Sequence, residues 1–248
     1  MREVISDVVK HTGGLGFIDI VKITGSDTET KIEAMDNDKT VIVKGKLNEP
    51  LAEFEGEFGM GNLSLIKGLV DHANFRTDGA KVEVIRETDP TNANQQIPTE
   101  MLFIDEQGQD ASYRFMSTQL VPSQAKFLGT TWDISVNPSK SKISEFSSFA
   151  SLYSAFETLF MVDVREGNLR FNIGDPSGNS HKASVIIEKE VEGKMSAGLY
   201  WPISQVLNIL KLGIDENVKM NFSSKGALMI ELSNDISSYQ YILPAKKR

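Results

Sequence analysis

The spacing of apolar residues divides the chain into helical and extended stretches that follow one another in a regular order. Four stretches have helical spacing. Over residues 1–11, Val4, Ile5, Val8 and Val9 recur at i, i+1, i+4 and i+5 and share one face, and Gly13 and Gly14 supply a stop. Residues 62–73 repeat the pattern with Leu65, Ile66, Leu69 and Val70. A third helix opens at Asn137 and Pro138 and runs through Ile143, Phe146, Ala150, Tyr153 and Phe156. The fourth has Pro202 near its first turn, an apolar face of Ile203, Val206, Leu207 and Leu210, and a stop at Gly213.

Extended stretches lie between these helices. Residues 17–24 are rich in β-branched and aromatic side chains, and over 39–47 Val41 and Val43 alternate with Ile42 and Lys44. Strands are predicted at 81–86, 100–105 and 111–117, then at 158–165, 168–173, 183–190, 218–223, 227–233 and 238–243. The polar stretch 87–96 contains Pro90 and predicts an exposed loop. The order is helix, strands, helix, strands, and then the same again. This predicts an α+β protein of two similar domains, 1–117 and 130–248, joined by a connector at 118–129 that carries Pro122. Short turns between strands favour antiparallel sheets, with amphipathic helices packed on them by one face.

Composition narrows the class. With 40% hydrophobic and 24% charged residues among 248, the chain can bury a sizeable core. No apolar run approaches the ~20 residues of a membrane helix, and the start has no signal-peptide core, so an intracellular protein with no membrane partner is expected. With no cysteine, disulfides, thiolate catalysis and zinc–thiolate sites are excluded. A net charge of −8 argues against binding nucleic acid by bulk charge.

The candidate chemistry is thin. His11, His72 and His181 have no partners at metal-ligand spacing, and the first two fall at predicted helix ends. The glycine-rich run 11–16 follows a helix and precedes a strand, the reverse of a phosphate cradle. Asp36-Asn37-Asp38 lacks the glycine and distal glutamate of a calcium loop and reads as a turn, as does 174–179. Serines crowd 139–154 without a nucleophile elbow. No catalytic residue, metal or cofactor is expected. The exposed helix faces are more informative: Arg2, Lys10 and His11, then Lys67, then Lys140 and Lys142, then Lys211 give each helix a cation, diluted by Glu3, Asp7 and Glu145.

Three motifs then carry a resemblance. Glu33-Ala-Met-Asp-Asn-Asp-Lys-Thr-Val-Ile-Val43 resembles a strand–turn–strand with an Ala-Met-Asp signature. Val164-Arg-Glu-Gly-Asn-Leu-Arg-Phe-Asn-Ile-Gly174 is similar to a second-domain hairpin, and Tyr239-Gln-Tyr-Ile-Leu-Pro-Ala-Lys246 to a last strand and tail. Together they resemble the DNA sliding-clamp family, that of proliferating cell nuclear antigen and the T-even phage clamp. The family's short first strand is not apparent ahead of the first helix. Its acidic tail is replaced by Lys246-Lys247-Arg248, which points to a divergent, viral member.

The resemblance implies a non-enzymatic processivity factor, a homotrimeric ring with sheets outside and two helices per domain lining the hole. Its partners would be double-stranded DNA, held without sequence preference, a DNA polymerase and a clamp loader. Arg2, Lys10, Lys67, Lys140, Lys142 and Lys211 would face DNA. Residues 111–117 of one copy would pair with 183–188 of the next, with Tyr113, Phe115, Val185 and Ile187 at the interface. Client peptides would dock on Met35, Thr40, Leu120, Val121, Pro122, Ile242, Leu243, Pro244 and Ala245. The location would be host cytoplasm for a phage protein or the nucleus for a eukaryotic one. A related ring serving checkpoint or transcription, or a small-molecule enzyme on an α+β fold, are the alternative readings.

Overall fold

The computed structural model describes residues 1–89, 92–123, 125–174, 181–195 and 198–246. The chain forms two compact units. One is Met1–Ala125 with Asp235–Tyr239, and the other is Lys126–Asn234 with Gln240–Arg248.

The first unit runs α1 (Arg2–His11), β1 (Val21–Gly25), β2 (Thr30–Met35), β3 (Ile42–Leu47), β4 (Gly56–Met60), α2 (Leu63–Asp71), β5 (Lys81–Asp89), β6 (Asn92–Ile104) and β7 (Asp110–Arg114). Its sheets are antiparallel, in the orders β4-β1-β2-β3 and β5-β6-β7. The second unit runs β8 (Ile134–Val136), α3 (Lys140–Tyr153), β9 (Leu159–Arg165), β10 (Asn168–Ile173), β11 (Ala183–Glu188), β12 (Tyr200–Pro202), α4 (Ile203–Leu212), β13 (Asn217–Ser223), β14 (Ala227–Ser233) and β15 (Ser237–Pro244). Its sheets have the orders β11-β10-β9-β12 and β8-β13-β14-β15. The strand β15 begins beside β3, in residues that belong to the first unit, and finishes beside β14 in the second.

A single β-α-β-β-β pattern accounts for this order. It occurs complete three times, as β4 to β7, β8 to β11 and β12 to β15, and a first copy opens directly on α1. Within the second unit the opening strands cross over. β8 pairs with β13 of the next repeat, and β12 pairs with β9 of the preceding one. In the first unit β4 likewise pairs with β1.

The helices form where the apolar spacing predicts them, with shifted faces and ends. On α2 the buried residues are Leu63, Ile66 and Val70, while Leu65 is 51% exposed. The third helix is capped by Ser139, whose hydroxyl accepts from the Lys142 N–H, and not by Asn137-Pro138. It ends at Tyr153, which leaves Phe156 outside it and 70% exposed. Residues 87–96 do not form the predicted loop. β5 continues to Asp89 and β6 starts at Asn92, with Pro90 and Thr91 outside the described residues. Few apolar side chains mark this arm, so alternation gives no signal there. The strands β4, β8 and β12 are three to five residues long, too short for a periodic pattern, and β4 contains glycine and β12 proline.

The core of the second unit is aromatic. Phe146, Phe160 and Phe171 have ring centroids 4.8 to 5.1 Å apart, and Trp201 lies 5.8 Å from Phe222. The Trp201 indole donates to the Leu243 carbonyl at 3.3 Å, so its one polar atom is satisfied inside the core. In the first unit Ile5, Val8, Val21, Ile23, Phe58, Ile66 and Phe103 are buried.

Candidate functional site: helix faces, sheet edges and connector

The helices present polar faces made from small residues and a few cations. On α1 the exposed residues include Glu3, Ser6 and Lys10, and on α2 Ser64, Lys67 and Asp71. On α3, Ser141, Ser144, Ser148 and Ser151 recur at i, i+3, i+7 and i+10, so they form one stripe opposite the buried Phe146. On α4 the exposed residues are Ser204, Asn208 and Lys211. The serine richness of the third helix is therefore a surface property. Those hydroxyls can donate to an anion without adding charge.

The six cations differ in setting. Lys10, Lys140 and Lys211 are exposed on their helices. Lys67 is paired with Asp71 one turn on, and Lys142 lies 2.7 Å from Glu145. Exposed pairs of this kind are worth about 0–1 kcal/mol, so either lysine can turn to a stronger anion. Arg2 donates to the Phe75 carbonyl at 2.7 Å, which fixes its guanidinium near α2. His11 does not belong with them. It is fully buried, its ring stacks on Tyr239 at 4.4 Å, and its Nδ1 lies 3.3 Å from the Asp7 carboxylate. Asp7 is also buried, accepting from Ser237 at 2.6 Å and Tyr239 at 3.2 Å. Asp7, His11 and Ser237 thus meet in space, but the serine hydroxyl donates to the aspartate. The group pins α1 to the first unit's sheet.

The turn after β2 is also structural. Asp36 accepts from the N–H groups of Thr40 and Val41 at 2.6 and 2.7 Å and from the Thr40 hydroxyl at 2.5 Å. Both its oxygens serve the turn, which suits Lys39 at φ 57°. The β9–β10 hairpin turns through Glu166 and Gly167, both at positive φ as a two-residue turn of primed type requires.

β7 and β11 both lie at the ends of their sheets. Tyr113, Val185 and Ile187 point into the cores and are 1 to 3% exposed, and Phe115 packs on Phe58 at 4.3 Å. Tyr113, Val185 and Ile187 are therefore not available at the surface and the half-buried Phe115 only in part, and these edges offer main-chain groups and the alternate residues Ser112, Arg114, Ser184 and Ile186. Beside the edges stand exposed apolar residues, of which Leu65 and Phe156 fit the helical apolar spacing and so read as core faces. Leu65 lies on α2, which packs near β7, and Leu152, 71% exposed, lies on α3, which packs near β11 together with the following Phe156.

The expected client surface divides by burial. Ile242 and Leu243 are core residues of β15, at 3% and 0% exposure, and line no surface. Met35, Thr40, Val121 and Ala245 are half-buried, while Leu120, Pro122 and Pro244 are exposed. The connector starts with a 3-10 turn over Thr118–Leu120. It is held to β4, where Met116 and Gly59 exchange hydrogen bonds of 2.8 Å and a Cβ on Gly59 would stand 2.5 Å from Val121. Further on, Leu128 is 94% exposed and Phe127 stacks on Trp132 at 6.1 Å, an apolar display in a segment read only as a linker.

No family model and no curated protein sequence matches the chain. Solved structures do match. PCNA from Thermococcus kodakaraensis is 13% identical with a TM-score of 0.70, over 99% of this chain and 96% of that one. PCNA from A. fulgidus, in a structure with the C-terminal region of FEN-1 bound, is 9% identical with a TM-score of 0.72, over 100% and 96%. The likeness spans both units, all four helices and the antiparallel sheets. The chain has the DNA sliding-clamp fold.

Proposed function

We propose that this protein is a sliding clamp, a non-enzymatic processivity factor that encircles duplex DNA as a homotrimer inside the cell and tethers a DNA polymerase. The observation that carries the reading is the pairing rule inside the chain. β3 closes the first repeat and lies beside β15, which closes the fourth. β7 and β11 close the second and third repeats, and both end their sheets. The same rule applied between copies sets β11 of one against β7 of the next, which covers both edges and closes a ring. Leu65 of one copy and Leu152 with Phe156 of the next then form an apolar seal beside the paired strands. Two clamp domains per chain give a ring of six domains from three chains.

Arg2, Lys10, Lys67, Lys140, Lys142 and Lys211, with the serine stripe of α3, face the phosphates. Such contacts are independent of sequence and weaken with salt. The net charge of −8 does not oppose this role, because linkage around the strand and not affinity sets residence time. The client surface is reduced to Met35, Thr40, Leu120, Val121, Pro122, Pro244 and Ala245. A replication protein's terminal peptide is the expected occupant, as the A. fulgidus PCNA structure has the C-terminal region of FEN-1. A clamp loader opens the ring.

Light scattering should return a mass near three times 27.4 kDa. Protein loaded on nicked circular DNA should survive a high-salt wash and leave when the circle is cut. Reversing the charge of all six cations should lower clamp-dependent synthesis severalfold while the mass is unchanged. A monomer in solution, or equal retention on circular and linear DNA, would refute the reading.

A further inference from the structure

We propose that the outer edge of β5 is a binding site for a short extended segment of another protein, which adds to the sheet as an antiparallel strand. The inference rests on the internal repeat and is independent of the ring reading.

In three of the four repeats the first strand after the helix is covered on both sides. β1 lies between β4 and β2, β9 between β12 and β10, and β13 between β8 and β14. β5 holds the same place in the second repeat but pairs only with β6. The sheets end at β4, β8, β12, β7, β11 and β5 among the described residues. The first three are opening strands and the next two are closing strands. β5 alone is a strand that its equivalents keep in the interior.

Burial marks the same edge independently. Val82 stands opposite Phe103 and Val84 opposite Met101, so both valines belong to the core-facing side. Phe103 and Met101 are fully buried, yet Val82 and Val84 are only half-buried. Their counterparts on β1, Val21 and Ile23, are at 0% exposure under the cover of β4. Apolar side chains of β5 are thus left partly in water where a neighbouring strand covers them elsewhere.

The covering strands define the occupant. β4 sets Phe58 against Ile23 and Met60 against Val21, and β8 sets Ile134 against Phe222 and Val136 against Met220. Both are apolar-x-apolar, antiparallel and three to five residues long. A bulge after Ile85 limits the regular edge of β5 to Lys81–Ile85, a matching length. Between the two valines Glu83 points outward and is exposed. A partner strand with apolar residues opposite Val82 and Val84 and a lysine or arginine opposite Glu83 fits both faces.

The test uses the fluorescein-labelled peptide acetyl-Thr-Ile-Lys-Val-Glu with the whole chain, which sets its glutamate against the exposed Lys81. Anisotropy should show saturable binding, and hydrogen exchange should slow at the amides of residues 81–85. Glu83→Lys should weaken binding at least tenfold and Glu83→Gln by less, and a peptide with aspartate in the central position should bind at least tenfold more weakly. Residue 83 is exposed, so thermal melts of both variants should match the parent. Absence of saturable binding would overturn the proposal. So would protection confined to β7 or β11, or equal affinity for Glu83→Lys. Protection of β5 that grows with protein concentration and needs no peptide would assign the edge to a second copy and also overturn it.

Discussion

Tyr113 combines a phenol 2% exposed with a hydrogen bond to the Gly61 carbonyl at 2.5 Å. Burial disfavours the phenolate and pushes the group well above the ordinary value near 10. In the unfolded chain it ionises from about pH 10, whereas the folded form keeps its proton longer. The stability this group contributes is therefore complete below pH 10 and is lost as the pH rises beyond it, at up to about 1.4 kcal/mol per unit. Tyr113→Phe should flatten that alkaline limb in urea titrations, and at neutral pH should cost about 1 kcal/mol through the lost hydrogen bond. An unchanged alkaline slope would count against this account. The sequence offered no sign of either feature. A tyrosine on an alternating strand reads as core or interface alike, and only the position of Gly61 decides. His11 is the same lesson in reverse. A histidine at a helix end reads as a surface charge, and the residues that bury it lie more than two hundred positions away at Ser237 and Tyr239.

Among the elements, helices were legible because their apolar faces repeat over several turns, and the long strands because they alternate. What periodicity could not separate is a face turned to the protein's own core from one turned to another molecule. Leu65 and Phe156 satisfied the helical pattern and are exposed. Short strands were lost for lack of length, and with them the crossed pairing of β4, β8 and β12 that organises each unit. At this scale the proposed seal beside β7 and β11 is testable. Leu65→Asp or Phe156→Asp should shift the mass from three chains to one with little change in the thermal midpoint of the monomer, since both side chains are mostly exposed in their own units, Phe156 leaning on the His181 ring at 5.5 Å. Retention of the larger mass by the double variant would remove these residues from the interface.

At the scale of the whole molecule, the fold likeness at 9 and 13% identity shows how little of a clamp is written in particular residues. The order of elements, the apolar pattern and a few turns were enough to suggest it. Charge was a poor guide, because −8 describes the entire surface while the proposed contact uses only helix faces. Lys67 and Lys142 are already shared with carboxylates. DNA contact of this kind should fall steeply with salt in equilibrium binding and only weakly once the protein is linked to a circle. Comparing the two salt dependences separates an affinity mechanism from a topological one.

The last strand begins in one unit and ends in the other, and this fixes when the first unit can be finished. Asp7 and His11 need Ser237 and Tyr239, residues synthesised more than two hundred positions later. Until then α1 carries a carboxylate and an imidazole with no interior to receive them. A fragment ending at Ala125 should therefore expose more amides to hydrogen exchange in α1 than the whole chain does. Supplying the peptide Asp235–Pro244 in trans should restore their protection. The unit begun first is therefore not finished until residue 239 is made, and a chain cut short of it lacks part of that unit's interior.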